Sequence, residues 1–183
     1  MAYASLERFR DITGRNVLAL QQAKEAGKKV VGQYCIYSPL EIALAAGAIP
    51  VSLCGTKNDS IPVAETMLPR SLCPLIKSSF GFALQDSCPY LAASDIVVAD
   101  TTCDGKKKMY ELRAASKPVV LLQLPQIQDG DAKDYWRAQY AKLAARLEKD
   151  FGASITTGAL RDAVRLTNRL RRALKDVLDL AKR

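Results

Sequence analysis

The sequence has no histidine among its 183 residues. Ser-His-Asp and Cys-His catalysis are therefore excluded, as is histidine-ligated zinc, unless a second chain brings the imidazole. No run of eighteen apolar residues occurs, so no membrane-spanning helix is expected. The start, MAYASLERFRDITGR, is mixed and charged and lacks the apolar stretch of a secretory signal. With neither signal nor span, the expected location is cytoplasmic. No Cys-x-x-Cys pair marks a zinc ribbon, and no GxxxxGK[ST] marks a Walker A loop. Aromatic residues stop at Phe151, although residues 151–183 carry eight Lys/Arg against three Asp/Glu. Basic charge without aromatic neighbours reads as a solvated helix face or a dock for an acidic surface, not as a nucleic-acid site.

What is present suits one soluble domain. Apolar residues make up 49% and charged residues 25%, and a chain this long can bury a core without disulfides. Apolar spacing predicts a helix over 3–27, with Leu6, Phe9, Ile12, Val17 and Leu20 on one face and Gly27 as its stop. Short β-branched runs predict parallel strands at Val30–Cys35, Pro50–Leu53, Ile96–Asp100 and Val119–Leu124. Between them fall helices at 38–47, with Ser38 as N-cap and Pro39 in the first turn, then 62–68, 73–84 and 105–116, and a brief turn after Cys88. Two long helices, 131–150 and 156–182, close the chain. Strand–helix alternation of this kind gives an α/β fold: a Rossmann-like parallel four-stranded sheet flanked by helices.

The five cysteines, Cys35, Cys54, Cys73, Cys88 and Cys103, fall within 69 residues. Cys35, Cys54 and Cys103 follow predicted strands, and ligands of parallel sheets bind outside the carboxyl strand ends. Cys73 and Cys88 each precede a proline that opens a helix, where free N–H groups favour the thiolate, the form that binds metal. Soft thiolates without histidine favour an iron–sulfur cluster over zinc or copper. The spacings of 19, 19, 15 and 15 residues do not match a ferredoxin run, so inert buried thiols and redox thiols stay open. The loop TTCDGKKKMYE (Thr101–Glu111) reads either as an anion cradle or as a solvated basic turn.

Several runs are more specific. GQYCIYSPLE (Gly32–Glu41), AAGAIPVSLC, LPRSLCPLIKSSFGFAL, DSCPYL and ADTTCDGKKKMYE together resemble the 2-hydroxyacyl-CoA dehydratase D-component family, and most closely its double-cubane cluster branch. The likeness runs from about residue 10 to 183. It implies residues 1–128 as a Rossmann-like N-terminal lobe with cluster-facing cysteines, and 129–183 as a helical segment leading to a second lobe. The implied cofactor is an iron–sulfur cluster, either [4Fe–4S] or a sulfide-bridged double cubane. The implied ligands are Cys73 and Cys103, then Cys35, then Cys88, with Cys54 weaker. Catalytic residues are not implied. The implied activity is dehydration of 2-hydroxyacyl-CoA by a ketyl-radical route, or reduction of small molecules, with low-potential electrons from an ATP-dependent Fe–S activator. Implied partners are that activator, the missing C-terminal lobe or a homologous subunit, and an acyl-CoA or small-molecule substrate, with no nucleic acid and no membrane. A double cubane leaves more irons needing thiolates than five cysteines can satisfy, so the chain reads as a fragment or one half of a split or dimeric protein. A single cubane on three cysteines is feasible. The alternatives are a cluster-free docking or assembly subunit and a redox thiol protein.

On these readings Cys73, Cys103 and Cys35 should share the carboxyl edge of the sheet. Ile36, Leu72 and Met109 should be exposed beside it. The last helix should be under-packed, with Arg161, Arg165, Arg169 and Arg172 in solvent. Glu41 is expected to cap its helix.

Overall fold

The computed structural model describes residues 2–182. The side chains of residues 2–6, 8–10 and 13 are outside the description, so the expected apolar positions Leu6 and Phe9 are not placed. The chain forms α1 (Ala2–Glu25), β1 (Val30–Gln33), α2 (Leu40–Ala45), β2 (Ile49–Ser52), α3 (Ile61–Ala64), α4 (Pro74–Leu84), α5 (Pro89–Ala93), β3 (Ile96–Asp100), α6 (Asp104–Arg113), β4 (Val119–Leu122), α7 (Ala132–Phe151) and α8 (Thr157–Leu180). The four strands are parallel in the order β2-β1-β3-β4, as the sequence pattern predicts.

Both faces of the sheet are covered, which is why β1 and β3 are buried at every position rather than alternating. One face packs Tyr34, Leu53, Val97 and Ala99 under Ile76 and Phe80 of α4 and Met109 and Tyr110 of α6. The other packs Val31, Ile96, Val98 and Leu122 under Ile42 of α2 and Leu143 and Leu147 of α7. β2 is an edge strand. Ile49 and Leu53 direct their N–H groups to β1, so Pro50, between them, falls on the outward side. Its missing N–H blunts that edge against pairing with another chain.

Asp95 joins α1 to the amino edge of the sheet. Its Oδ2 accepts the Val30 N–H at 2.7 Å and its Oδ1 accepts from Lys24 Nζ at 2.7 Å. Burial pushes its carboxyl up, but Lys24 and the Val30 amide outweigh this and hold it below the usual range. A lowered folded pKa means stability present above the unfolded pKa and lost as pH falls through the folded one. Asp95→Ala is therefore expected to cost about 1–3 kcal/mol at neutral pH. In urea melts, the variant and parent should converge below about pH 3.9. A gap that persists unchanged in acid would show the loss to be steric.

Several boundaries differ from expectation. β1 ends at Gln33 because Cys35 sits at φ +64°, a left-handed conformation that turns the chain off the sheet. β4 stops at Leu122, two residues early, as Leu124 gives its N–H to the Thr101 hydroxyl at 3.0 Å instead of to a strand. Ser38 does not cap α2. Its hydroxyl donates to the Tyr34 carbonyl at 3.3 Å, and Pro39 takes the N-cap position. Met109 is 2% exposed, not open to solvent, because it shares the inward stripe of α6 with Tyr110 and Arg113. Ile36 is 87% exposed, as expected, and Leu72 is half-buried. Arg161, Arg165, Arg169 and Arg172 are all exposed.

Candidate functional site

The carboxyl ends of β1 and β3 and the amino ends of α4 and α6 gather on one edge of the domain. Cys73 and Cys103 occupy the N-cap positions of α4 and α6, and neither side chain is hydrogen-bonded to a first-turn amide. The two helix starts touch. A Cβ placed on Gly105 would lie 2.4 Å from Leu72 Cδ2 and 2.9 Å from Ile76 Cδ1. Only glycine lets α6 approach α4 this closely, and the contact joins residues immediately beside Cys103 and Cys73.

Cys35 reaches the same edge from β1. Its left-handed backbone is uncommon for a residue with a Cβ, and such strain concentrates at functional positions. Lys106 Nζ donates to Cys35 Sγ and to Thr102 Oγ1 at 2.8 Å. It also lies 3.8 Å from Asp100 Oδ1. Burial pushes the Cys35 thiol up and the Lys106 ammonium opposes it, with the net result above the ordinary range. Burial pushes Lys106 down, but Cys35 and Asp100 lift it overall. Asp100 is fully buried. Its Oδ1 accepts the Thr102 hydroxyl at 3.0 Å, while Oδ2 has no partner. The Tyr110 hydroxyl is likewise buried and unpartnered, and burial with the nearby Asp100 charge raises its pKa.

A cleft of about 400 Å³ opens beside Cys35, lined also by Gln33, Ser38, Glu41, Tyr140 and Arg171. Glu41 lies in the first turn of α2 and takes a hydrogen bond from its own backbone N–H, and it also reaches a distant helix. Its Oε1 accepts from the Thr167 hydroxyl at 2.7 Å and from Arg171 at 2.5 Å, tying α2 to α8. Burial raises its carboxyl, and these donors bring it below the ordinary range. Cys54 and Cys88 open elsewhere, into a separate cavity of about 330 Å³ with Tyr34, Lys57 and Ser79. Cys54, Cys73 and Cys103 are exposed, Cys35 and Cys88 half-buried, and all five are free thiols. Among the described residues, no three Cys, Asp or Glu side chains gather closely enough to hold a single ion.

Of the three lysines in the Thr101–Glu111 loop, Lys106 goes to the thiol. Lys107 pairs with Asp104 at 3.0 Å and Lys108 with Glu111 at 3.0 Å. Sequence reasoning missed Asp100, Thr102 and Lys106 as a unit. The signal was the i, i+2, i+6 spacing of a buried acid, a hydroxyl and a lysine across a strand-to-helix turn.

The family model for the 2-hydroxyglutaryl-CoA dehydratase D-component matches residues 35–183. The chain belongs to this family. The match begins at Cys35 and takes in every cysteine, β2, β3, β4 and both long helices. The chain is 48% identical over 178 residues to YjiM of Escherichia coli (strain K12), provisionally named a dehydratase subunit. That alignment covers 97% of this chain and 46% of the relative. It is 27% identical to the beta subunit of the lactoyl-CoA dehydratase of Anaerotignum propionicum, covering 97% and 47%. It is 28% identical to a subunit of the benzoyl-CoA reductase of Thauera aromatica, covering 90% and 44%. The D-component chain thus spans about half the length of the curated relatives it matches. Among the described residues, no helix is long and apolar enough to cross a membrane.

Proposed function

We propose that this chain is the N-terminal lobe of an iron–sulfur enzyme that either dehydrates a 2-hydroxyacyl-CoA or reduces a small molecule. Residues 1–128 are the cluster-facing lobe and 129–183 lead to a second lobe. The observation that carries the reading is the meeting of two helix N-termini, each capped by a free cysteine, with a third cysteine turned toward the same edge by left-handed backbone. Donor chemistry fits the group. A cubane takes a separate thiolate at each held iron, so its cysteines need not crowd one point as a single ion requires.

Cys73, Cys103 and Cys35 are the ligands in this reading, with Cys88 as a further candidate. When bound, the cluster supplies a low-potential electron, received from an ATP-dependent Fe–S activator. The chain's own residues do the rest. The positive dipole ends of α4 and α6 and the Lys106 ammonium offset the negative charge of thiolates gathered at the edge. Asp100 and Thr102 hold Lys106 in place. The cleft beside Cys35, with Arg171 held on its wall by Glu41, offers room for an acyl-CoA or other small-molecule substrate. Chemistry of this kind belongs in the cytoplasm, where thiols stay reduced.

Anaerobic reconstitution tests the reading. The chain should take up iron and sulfide, about four of each for one cubane, and turn brown. Cys73→Ser and Cys103→Ser should each abolish most of the uptake, and Cys54→Ser should leave it intact. Equal iron in the Cys73→Ser, Cys103→Ser and Cys35→Ser variants would defeat the ligand assignment.

A further inference from the structure

The cleft beside Cys35 carries one acid and one base, and each answers the other. Among the described residues that line it, only Glu41 and Arg171 are charged. Glu41 Oε1 accepts from Arg171 Nη2 at 2.5 Å and from the Thr167 hydroxyl at 2.7 Å. Arg171 Nη1 donates to Thr167 Oγ1 and to Asn168 Oδ1, both at 3.0 Å. The guanidinium is thus held from two sides by groups of its own chain. The Glu41 side chain is 16% exposed and that of Arg171 is 55%, so the carboxylate is the more buried of the two.

The next cation along this edge is committed in the same way. Lys106 donates to Cys35 and Thr102 and lies 3.8 Å from the fully buried Asp100. Neutral polar groups remain on the cleft wall: the Gln33 amide and the hydroxyls of Ser38, Ser52 and Tyr140. An amide and hydroxyls suit a carbonyl or a hydroxyl of a ligand. A carboxylate entering here finds both nearby cations already paired and meets Glu41. Two carboxylates sharing one site disfavour each other's ionised form, and an anion drawn from water without a partner charge is strongly disfavoured. The cleft, about 400 Å³, lies at the lower end of ligand pockets. It has room for the acyl end of a thioester, with the nucleotide outside.

We infer that this cleft selects uncharged acyl groups and that Glu41 sets the preference: by occupying Arg171 it excludes substrates whose acyl end carries a carboxylate. The inference rests on the reading of this cleft as the substrate site. Specificity is a difference between two affinities, built as much by what repels as by what attracts. Glu41 supplies the repulsion and also removes the attraction that Arg171 would offer.

Trp136 reports on the cleft. It is the only tryptophan in the sequence, and its ring lies 4.7 Å from that of Tyr140 on the cleft wall. Under anaerobic, reducing conditions its fluorescence is titrated with two probes, 2-hydroxyglutaryl-CoA and the analogue whose terminal carboxylate is a carboxamide. The two differ in charge and hardly in shape. The parent chain should bind the carboxamide about 10-fold more tightly or better. Glu41→Gln keeps the shape of the side chain and releases the Arg171 charge. It should close or reverse the gap, moving the carboxamide by less than about twofold. Arg171→Gln should widen the gap, because Glu41 then stands unbalanced. Circular dichroism checks that both variants keep their helices, and should Glu41→Gln disturb them, Arg171→Gln carries the test. Equal affinities of the parent for the two thioesters would overturn the inference and leave the cleft as the substrate site, as would a preference unmoved by both substitutions. A parent chain that binds neither thioester would overturn the inference together with that reading.

Discussion

Gly81→Ala is expected to destabilise the fold by about 3 kcal/mol or more, a large share of a typical domain's stability. A Cβ at Gly81 would lie 1.9 Å from the Ser60 carbonyl oxygen, 2.6 Å from its carbon and 2.8 Å from Ser60 Cβ. These are backbone and near-backbone atoms, and no rotamer change moves them aside. Ser60 is also fixed from the other direction. It is 1% exposed and its hydroxyl donates to the Ser78 carbonyl at 3.0 Å, while the Ser78 hydroxyl donates to the Lys57 carbonyl at 2.6 Å. Relief requires α4 to move away from the Ser60 turn, which opens the packing of Ile76 and Phe80 against the sheet. Chemical denaturation reads the effect directly. Gly14→Ala is the matching control: a Cβ there meets nothing within 4 Å, in a helix interior, so it should stabilise by about 0.5–1 kcal/mol. Equal midpoints for Gly81→Ala and the parent would mean that the close approach at Ser60 is not a constraint on the fold.

The four strands were legible because each is a short β-branched run, and a parallel sheet covered on both faces imposes that composition. Their ends were less so. β1 terminates where Cys35 adopts a left-handed backbone, and nothing in GQYC alone dictates it, since it depends on what Lys106 and the neighbouring strand ends require. Met109 is a different case. A wheel of α6 places Lys106, Met109, Tyr110 and Arg113 on one stripe, so its burial was available from periodicity and lost to the expectation of an open edge. The contact of Glu41 with Thr167 and Arg171 spans 126 and 130 residues, and no local pattern announces it. For the site, the sequence placed Cys73 and Cys103 at helix starts correctly, through the Cys-Pro step before α4 and the strand-to-helix turn before α6. The mutual approach of those starts was hidden, because it hangs on the absent side chain of Gly105.

That absent side chain separates folding from cluster binding. Gly105→Ala is expected to cost the loaded protein most of its iron while moving the unfolding midpoint only modestly, the reverse of Gly81→Ala. The atoms a new methyl would meet, Leu72 Cδ2 at 2.4 Å and Ile76 Cδ1 at 2.9 Å, are ends of flexible side chains. Leu72 is half-buried and can swing toward solvent, so the stability loss should stay near about 1–2 kcal/mol. What does not recover is the spacing, because Ile76 is 4% exposed and has no room to swing away from the methyl. Pushing α6 off α4 carries Cys103 away from Cys73 and draws Lys106 from Cys35, and thiolates that bridge a rigid cluster tolerate little displacement. The readout is iron and sulfide per chain after anaerobic reconstitution, set beside the urea midpoint of the same sample. Adding Leu72→Ala should make room for the methyl and return much of the iron, even though it removes apolar contact and lowers stability further. Undiminished iron in Gly105→Ala would show that the two helix-capping cysteines do not hold one cluster together, and the ligand set would then have to be sought around Cys54 and Cys88.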